Sequence, residues 1–530
     1  MKYMKFFLLV VGLFLVSSAA FVDGVSYKQQ REKFDQIYKQ GNYKEAYEGF
    51  RKLALSPNND PGQVGSDLYV SVSCLQRLGR VDEIDELREA VIEVHKDNWR
   101  LLFAAAKSYF DTASHYGYIV AGEFHRGGHR GAGRYVNSFE RDRVRALQLM
   151  DQALKHTQDE EDKYALSSFY LEFARMLMGY RGYEEAWRLQ YLSDLSELPD
   201  YEEGYGHYGQ TTKGAPVAVD GTPIFHNLPK SYQKATRDGE RWRWMLMQAV
   251  ELDSGKTKQV LKEQADFLHQ QFGVRTIGSY GRYFTDEAGD KGGAYQAHTL
   301  AEDETIARLA TGIRRFQLPD EFNFIKIYQK IEAFDELAQI FENRRQYTKA
   351  ADYWKRSIER YGRSDWKQKR LDQILGNWGQ FEPVMTHPAG KGATVEYRFR
   401  NGKKVSFEAH KIQVETLLAD VKSYLKSNPR KLDWDKLNIG NIGYRLVQRD
   451  EKKYIGQKVA KWALDLEPRK MRLDKRITVT TPLQKAGAYL LTARMANGNT
   501  SKIIIWVNDT VIVKKQLDKK AYFFVTGAPK

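Results

Sequence analysis

The segments RITVTTPL (Arg476–Leu483), AGAYLLTARMANGNTSKIIIWVNDTVIVKK (Ala486–Lys515) and AYFFV (Ala521–Val525) decide how this 530-residue chain reads. They are rich in Val, Ile, Thr and Tyr, whose branched and aromatic side chains suit a pleated surface, and Gly, Asn and Asp separate them. The same grammar begins near Gln457 with QKVAKWALDLEP. Upstream, from Tyr27 to about Gly379, apolar residues recur at three- and four-residue spacing, the period of a helix with one buried face. The expected fold is α+β and multidomain. Helices occupy residues 26–380, a linker, hairpin and helix occupy 381–456, and a β-sandwich runs from 457 to 530, incomplete at its C-terminal end. In the middle part, VEYRFRNGKKVSFEA (Val395–Ala409) alternates on both sides of Asn401-Gly402, which predicts a two-residue hairpin, and a helix is expected from Ile412 to Leu425. A further helix is expected from Glu302 to Arg315.

The 83 Lys and Arg against 68 Asp and Glu give a net charge of +15 without any basic block. Both signs alternate, as in YWKRSIERYGRSDWKQKR (Tyr353–Arg370), which describes a solvated surface and gives no reason to expect a nucleic-acid partner. Lys2 and Lys5 precede an apolar run from Phe6 to Val16 and the small residues Ser17, Ser18, Ala19 and Ala20, the pattern of a signal peptide over residues 1–20. That run is short of the roughly 20 apolar residues that cross a bilayer. The expectation is an exported bacterial protein of the periplasm, cell surface or medium, with no transmembrane segment after cleavage. The single cysteine, Cys74, lies in the apolar-periodic DLYVSVSCLQRLG and reads as a buried thiol.

Four breaks in the helical pattern resemble tetratricopeptide repeats: YKQGNYKEAYEGF (38–50), LQRLGRVDEIDELREA (75–90), GYRGYEEAWRL (179–189) and FENRRQYTKAADYWKRSI (341–358). A small residue (Ala46, Ala186, Ala350) follows an aromatic one (Tyr43, Tyr183, Tyr347) by three places, the spacing that lets paired helices approach closely. The expected helical solenoid is irregular and carries two loop insertions. The first, residues 119–143, holds His125 and His129 as candidate metal ligands and Arg126, Arg130 and Arg134 as candidate ligand-binding residues. Read as an ordered loop capping the helices, it needs no ligand. An anion site or a metal site are the alternatives, although the glycines between the two histidines oppose a helical metal motif. The second, residues 199–229, has a Tyr/Gly-rich lead in which Tyr205 and Tyr208 could stack on a sugar or peptide, then a small hairpin at Asp220-Gly221. No nucleophile, acid/base pair, phosphate loop or zinc-spaced cluster is found, so neither catalysis nor a cofactor is expected.

The run from Trp462 to Val525, with LDLEP, RITVTTPLQKAGAYLLTARMANGNTSKIIIWVNDTVIVKK and AYFFVTGAP, resembles the first macroglobulin-like domains of bacterial alpha-2-macroglobulin family proteins. RFRNGKKVSFEA and FHRGGHRGAGRYVNSFERDRVRALQLM resemble the helical N-terminal extension of some members. The resemblance implies immunoglobulin-type sandwiches, export, proteases as partners and a role as endopeptidase inhibitor in envelope defence. It also implies a front portion only: Cys74 precedes Leu75-Gln76-Arg77, unlike the family's thioester motif, and no bait segment is present. AYFFV is then expected to lack neighbours in its own fold. Two alternatives stand beside this reading, an exported repeat scaffold that binds a protein or peptide and a glycan-binding envelope protein.

Overall fold

The computed structural model describes residues 26–111, 114–179, 181, 185–204, 214–278, 296–384, 386–437, 446, 452–518 and 520–527. It divides into two units, Met1–Phe267 with Leu309–Gly312, and Leu268–Arg308 with Ile313–Lys530. The chain is α+β, as expected, and no helix among the described residues is long and apolar enough to cross a membrane.

The first unit begins with α1 (Tyr27–Lys39), α2 (Tyr43–Ala54), α3 (Val64–Leu78), α4 (Ile84–Val94) and α5 (Trp99–Phe110), and continues with α6 (Phe139–Lys155), α7 (Lys163–Met178) and α8 (Asp238–Leu252). Their starts are set by side chains that satisfy free backbone N–H groups. Ser26 and Gln29 form a capping box, Asn98 accepts from Arg100 and Leu101, and Asp162 accepts from Ala165. Each helix packs on a neighbour close in sequence: α1 on α2, α2 on α3, α3 on α5, α5 on α6, α6 on α7 and α7 on α8. Gly65 permits the α3–α5 approach, since a Cβ there would lie 2.7 Å from that of Ala104. Ala46 is fully buried at the α1–α2 pair. The third expected repeat does not form a helix pair: Ala186–Gln190 is a single 3-10 turn, and Tyr183 lies outside the described residues. Its chain is held instead by Asp238, which accepts from the Ser193 backbone N–H at 3.0 Å.

The first insertion is not a loop. β1 (Tyr116–Val120), β2 (Glu123–Arg126) and β3 (Arg134–Asn137) form a sheet with β4 (Glu202–Glu203) in the order β2-β1-β3-β4, and Phe139–Arg143 starts α6. The turn expected at Asp220-Gly221 is present: Ala218 N–H donates to the Thr222 carbonyl at 2.8 Å and Gly221 has φ +81°.

In the second unit the helix expected over Glu302–Arg315 is absent. β5 (Glu304–Leu309) pairs with β6 (Gly312–Gln317). The Thr305 hydroxyl donates to the Phe272 carbonyl and Leu318 N–H to that of Asp303, fixing the extended form of a stretch whose apolar spacing also fits a helix. Helices α9 (Phe324–Lys330), α10 (Phe334–Asn343), α11 (Tyr347–Tyr361) and α12 (Asp365–Leu375) follow. Ala350 of α11 is fully buried, and α11 packs on α10.

The β-domain starts earlier than the expected residue 457. A five-stranded sheet runs β11 (Ile455–Asp465), β10 (Lys404–Ile412), β13 (Gly487–Met495), β14 (Thr500–Asn508), β8 (His387–Pro388). A three-stranded sheet runs β12 (Lys475–Thr480), β9 (Thr394–Arg400), β7 (Trp378–Phe381). Side chains of both sheets, including Val395, Tyr397, Phe399, Phe407, Leu491, Ala493 and Ile505, form one buried cluster. The expected helix is present as α13 (Val414–Lys426), whose Leu417 packs with Ile412, Ala488 and Leu490 in a second cluster. With both faces of β13 covered, Ala488 to Ala493 are buried without alternation.

Asn401-Gly402 does not make a hairpin, because β9 and β10 belong to different sheets. The Asn401 side-chain amide donates to the carbonyls of Ile374 and Gly376 at 2.9 and 2.8 Å, closing the C-terminal end of α12. Gly402 passes against Met495, whose sulfur would lie 2.2 Å from a Cβ at that position. The dipeptide that predicts a turn serves as a sheet-to-sheet crossover and a helix cap.

Candidate functional site

The strands of the first insertion scatter the residues that sequence reasoning grouped. His125 on β2 lies opposite Tyr118, and its ring centroid is 5.8 Å from that of His129. Among the described residues no group of three or more His, Cys, Asp or Glu side chains is placed to hold a metal. Arg130 is exposed, and Arg134 is exposed and paired with Glu203 at 2.9 Å. Tyr205 and Tyr208 lie outside the described residues.

Arg126 is 3% exposed, and its guanidinium is spent within the protein rather than offered to a ligand. Nη1 and Nη2 form a two-pronged contact with the Asp142 carboxylate, both at 2.8 Å. Nε donates to Asp85 at 2.9 Å, and Nη1 also reaches the Ser114 carbonyl at 2.7 Å. Asp142 accepts in addition from Ser138 at 2.7 Å and lies 2.9 Å from His115 Nδ1. Burial alone would push the Asp142 carboxyl up, but the hydrogen bonds of His115, Arg126 and Ser138 and the charge of Arg126 outweigh it and hold the group at about 2. Asp85 also receives Arg88, which is fully buried and donates to the Ser108 carbonyl. The insertion's conspicuous arginine is thus the hub of a buried network joining β2, α4, α5 and α6. A second network surrounds buried Asp238, which takes Arg181 at 3.0 Å, Arg143 at 3.1 Å and the Ser193 hydroxyl.

Two of the open surfaces among the described residues bear on function here. On the helices, a groove of about 430 Å³ between α3 and α5 is lined by Tyr69, Val72, Gln76, Ala104 and Lys107, with Tyr69 standing out into solvent. On the β side, β15 (Thr510–Gln516) and β16 (Ala521–Gly527) pair, among the described residues, only with each other, as a ribbon separate from the two larger sheets. AYFFV therefore has one neighbour, β15, and lies outside the sandwich-like pair of sheets. The register puts Ile512 opposite Val525 and Val513 opposite Phe524. Since side chains alternate between faces, one face carries Ile512, Phe523 and Val525 beside Lys514, and the other Val511, Val513, Tyr522 and Phe524 beside Lys515, so both faces are mainly apolar with one lysine each. All seven hydrophobic residues are exposed, from 39% at Val511 to 70% at Tyr522. The sequence carries the signal as uninterrupted apolar runs, VIV and YFFV, which alternate too little for a strand with one wet face.

No family model matches the chain, and no curated protein matches it. Solved structures similar to part of it include native alpha-2-macroglobulin from Escherichia coli spanning domains MG0-NIE-MG1, at 15% identity over 29% of this chain and 45% of that one, with a TM-score of 0.19. The fragment of the same protein spanning NIE-MG1 matches at 16% identity over 29% of this chain and 70% of that one, again with a TM-score of 0.19. The match covers under half of the longer fragment and is a weak structural similarity to bacterial alpha-2-macroglobulin domains.

Proposed function

We propose that this chain is an exported, non-catalytic scaffold of the alpha-2-macroglobulin type, contributing to a protease trap in bacterial envelope defence. In this reading the two-sheet region is a macroglobulin-like, immunoglobulin-type domain, and the ribbon β15–β16 is seated against a further β-domain of the same kind. The observation that carries it is the ribbon's pair of mainly apolar faces. A two-stranded ribbon is marginal in water by itself, and covering each large apolar side chain contributes about 1.5–3 kcal/mol. A strand pair mainly apolar on both sides is suited to a layer covered from both sides, as in a sandwich. The leader-like N-terminus and the residues from Trp462 to Val525 that resemble the family support the same reading. The bait and thioester that would inhibit a protease are not assigned to any residue of this chain.

The test is a photo-crosslinking side chain in place of Phe524, in the full chain expressed in a bacterial envelope. The expected product is a defined adduct with a β-sandwich polypeptide. Adducts confined to lipid, or none, would overturn the reading. A second function, a helical scaffold that holds a peptide, is favoured by the α3–α5 groove with its exposed Tyr69. Loss of a saturable peptide partner in Tyr69→Ala would support it.

A further inference from the structure

Between α6, α7 and α8 the first unit holds a cleft of about 440 Å³, within the 300–1,000 Å³ range of small-molecule sites. Tyr170 of α7 and Trp244 of α8 form its aromatic wall, in an edge-to-face pair with centroids 5.9 Å apart. Neither ring is fully buried, so each presents part of its surface to the cleft. Gln158 and Gln233 stand at the rim, both exposed, and their amides have no hydrogen-bond partner among the described residues. The same holds for the indole N–H of Trp244. Of the charged side chains of the lining, Lys155 pairs with Asp151 at 3.2 Å, while Glu251 accepts from the neutral Gln248 amide at 2.8 Å and stands exposed to water.

These features select a ligand by elimination. An anion would find no unmatched cation, since Lys155 is taken by Asp151, and a cation would meet only the exposed, water-screened carboxylate of Glu251. A purely apolar ligand would strip water from two amides and an indole N–H and leave them unpaired, a penalty that recurs for every buried polar group without a partner. A long extended peptide would need a groove or a free sheet edge, whereas this cleft is short and walled by helices. Amides that donate and accept at once, next to ring faces whose negative quadrupole attracts polarised C–H groups, suit a neutral molecule with hydroxyls on its rim and C–H groups on its faces. We propose that this cleft binds an uncharged carbohydrate, a mono- to trisaccharide unit packed against Tyr170 and Trp244 and hydrogen-bonded by Gln158, Gln233 and the Trp244 indole. The site is distinct from Tyr205 and Tyr208, and it does not depend on the macroglobulin reading.

The test is calorimetric titration of the full chain with neutral trisaccharides (maltotriose, cellotriose, laminaritriose, mannotriose and chitotriose) and with trigalacturonic acid as a charged control. At least one neutral sugar is expected to bind with a 1:1 endpoint and the charged control more weakly. Gln158→Ala with Gln233→Ala, at two exposed positions where folding is not at stake, should weaken that binding about 10-fold. Trp244→Phe, which keeps an aromatic ring but loses the pyrrole half of the indole with its N–H, should weaken it at least about 3-fold, the scale of a single neutral hydrogen bond. No heat from any neutral sugar up to ~10 mM, equal binding of the charged control, or unchanged affinity in both variants would each overturn the proposal.

Discussion

Replacing Arg126 by methionine tests whether the first insertion is held by charge. The substitution keeps much of the apolar stem and removes the contacts at 2.8 Å to Asp142, the one at 2.9 Å to Asp85 and the one to the Ser114 carbonyl. Asp85 is partly exposed and keeps Arg88, so it can recover solvent. Asp142 is buried and cannot; it retains Ser138 and His115 but loses its fixed positive charge. Breaking a buried pair in this way typically costs about 3–5 kcal/mol, because the surviving charge stays buried. Amides of β1 to β3 should then exchange with solvent roughly 150- to 5,000-fold faster, measured by hydrogen-exchange mass spectrometry under conditions where exchange follows the opening equilibrium. The pH dependence has a definite sign. In the native protein Asp142 sits at about 2, below its unfolded value, so its contribution is complete above the unfolded value and is lost only as pH falls through about 2. Without Arg126 the carboxyl takes up a proton at higher pH, so the gap between native and variant should narrow as the solution is acidified from neutrality. Adding Asp142→Asn to Arg126→Met should cost less than the sum of the two single changes. Exchange within 3-fold of native in Arg126→Met, or strict additivity in the double variant, would refute the argument.

Other expectations follow from the same structure. Ile512→Lys with Phe524→Lys adds a second lysine to each face of the ribbon, beside Lys514 and Lys515, and light scattering should show less self-association than in the native chain; equal scattering would count against the ribbon as an adhesive surface. Asn401→Ala removes the cap on α12 and should cost about 1 kcal/mol in urea unfolding. Gly402→Ala, which drives a methyl into Met495, should cost about 1–3 kcal/mol. The Cys74 thiol, pushed by burial up to about 11, should resist a thiol reagent at pH 8 in the native state and react fully in denaturant.

How far the fold could be read depended on whether a local pattern had one meaning. The strands from Ile455 to Gln516 and the helix Val414–Lys426 were legible because period and turn chemistry agreed. Residues 302–315 were not, since Ile306, Leu309 and Ile313 have apolar spacing that fits a helix, and the pairing of β5 with β6, supported by bonds from Thr305 and Leu318, selects the strand form. Asn401-Gly402 is a strong turn signal whose amide was claimed by helix carbonyls that no local window includes. Arg126 illustrates the limit for sites: a Gly/His/Arg-rich stretch reads as ligand-binding, and its partners Asp85 and Asp142 lie 41 and 16 residues away. The aromatic cleft was hidden for the same reason, as Gln158, Tyr170, Gln233 and Trp244 come from separate segments whose apolar periodicity speaks only of packing.

The junction around Asn401 has a bearing on how this part of the chain can be divided. The last carbonyls of α12 are satisfied by Asn401, Arg472 also reaches the Leu375 carbonyl, and Arg400 stacks on Tyr347 while pairing with Asp474. Helix and sheet here share one set of polar partners, so a cut placed near residue 380 would leave orphaned groups on both fragments and take β7 from its sheet. The piece that can be inherited, transplanted or expressed intact is the one that keeps α11 and α12 with β7 to β14.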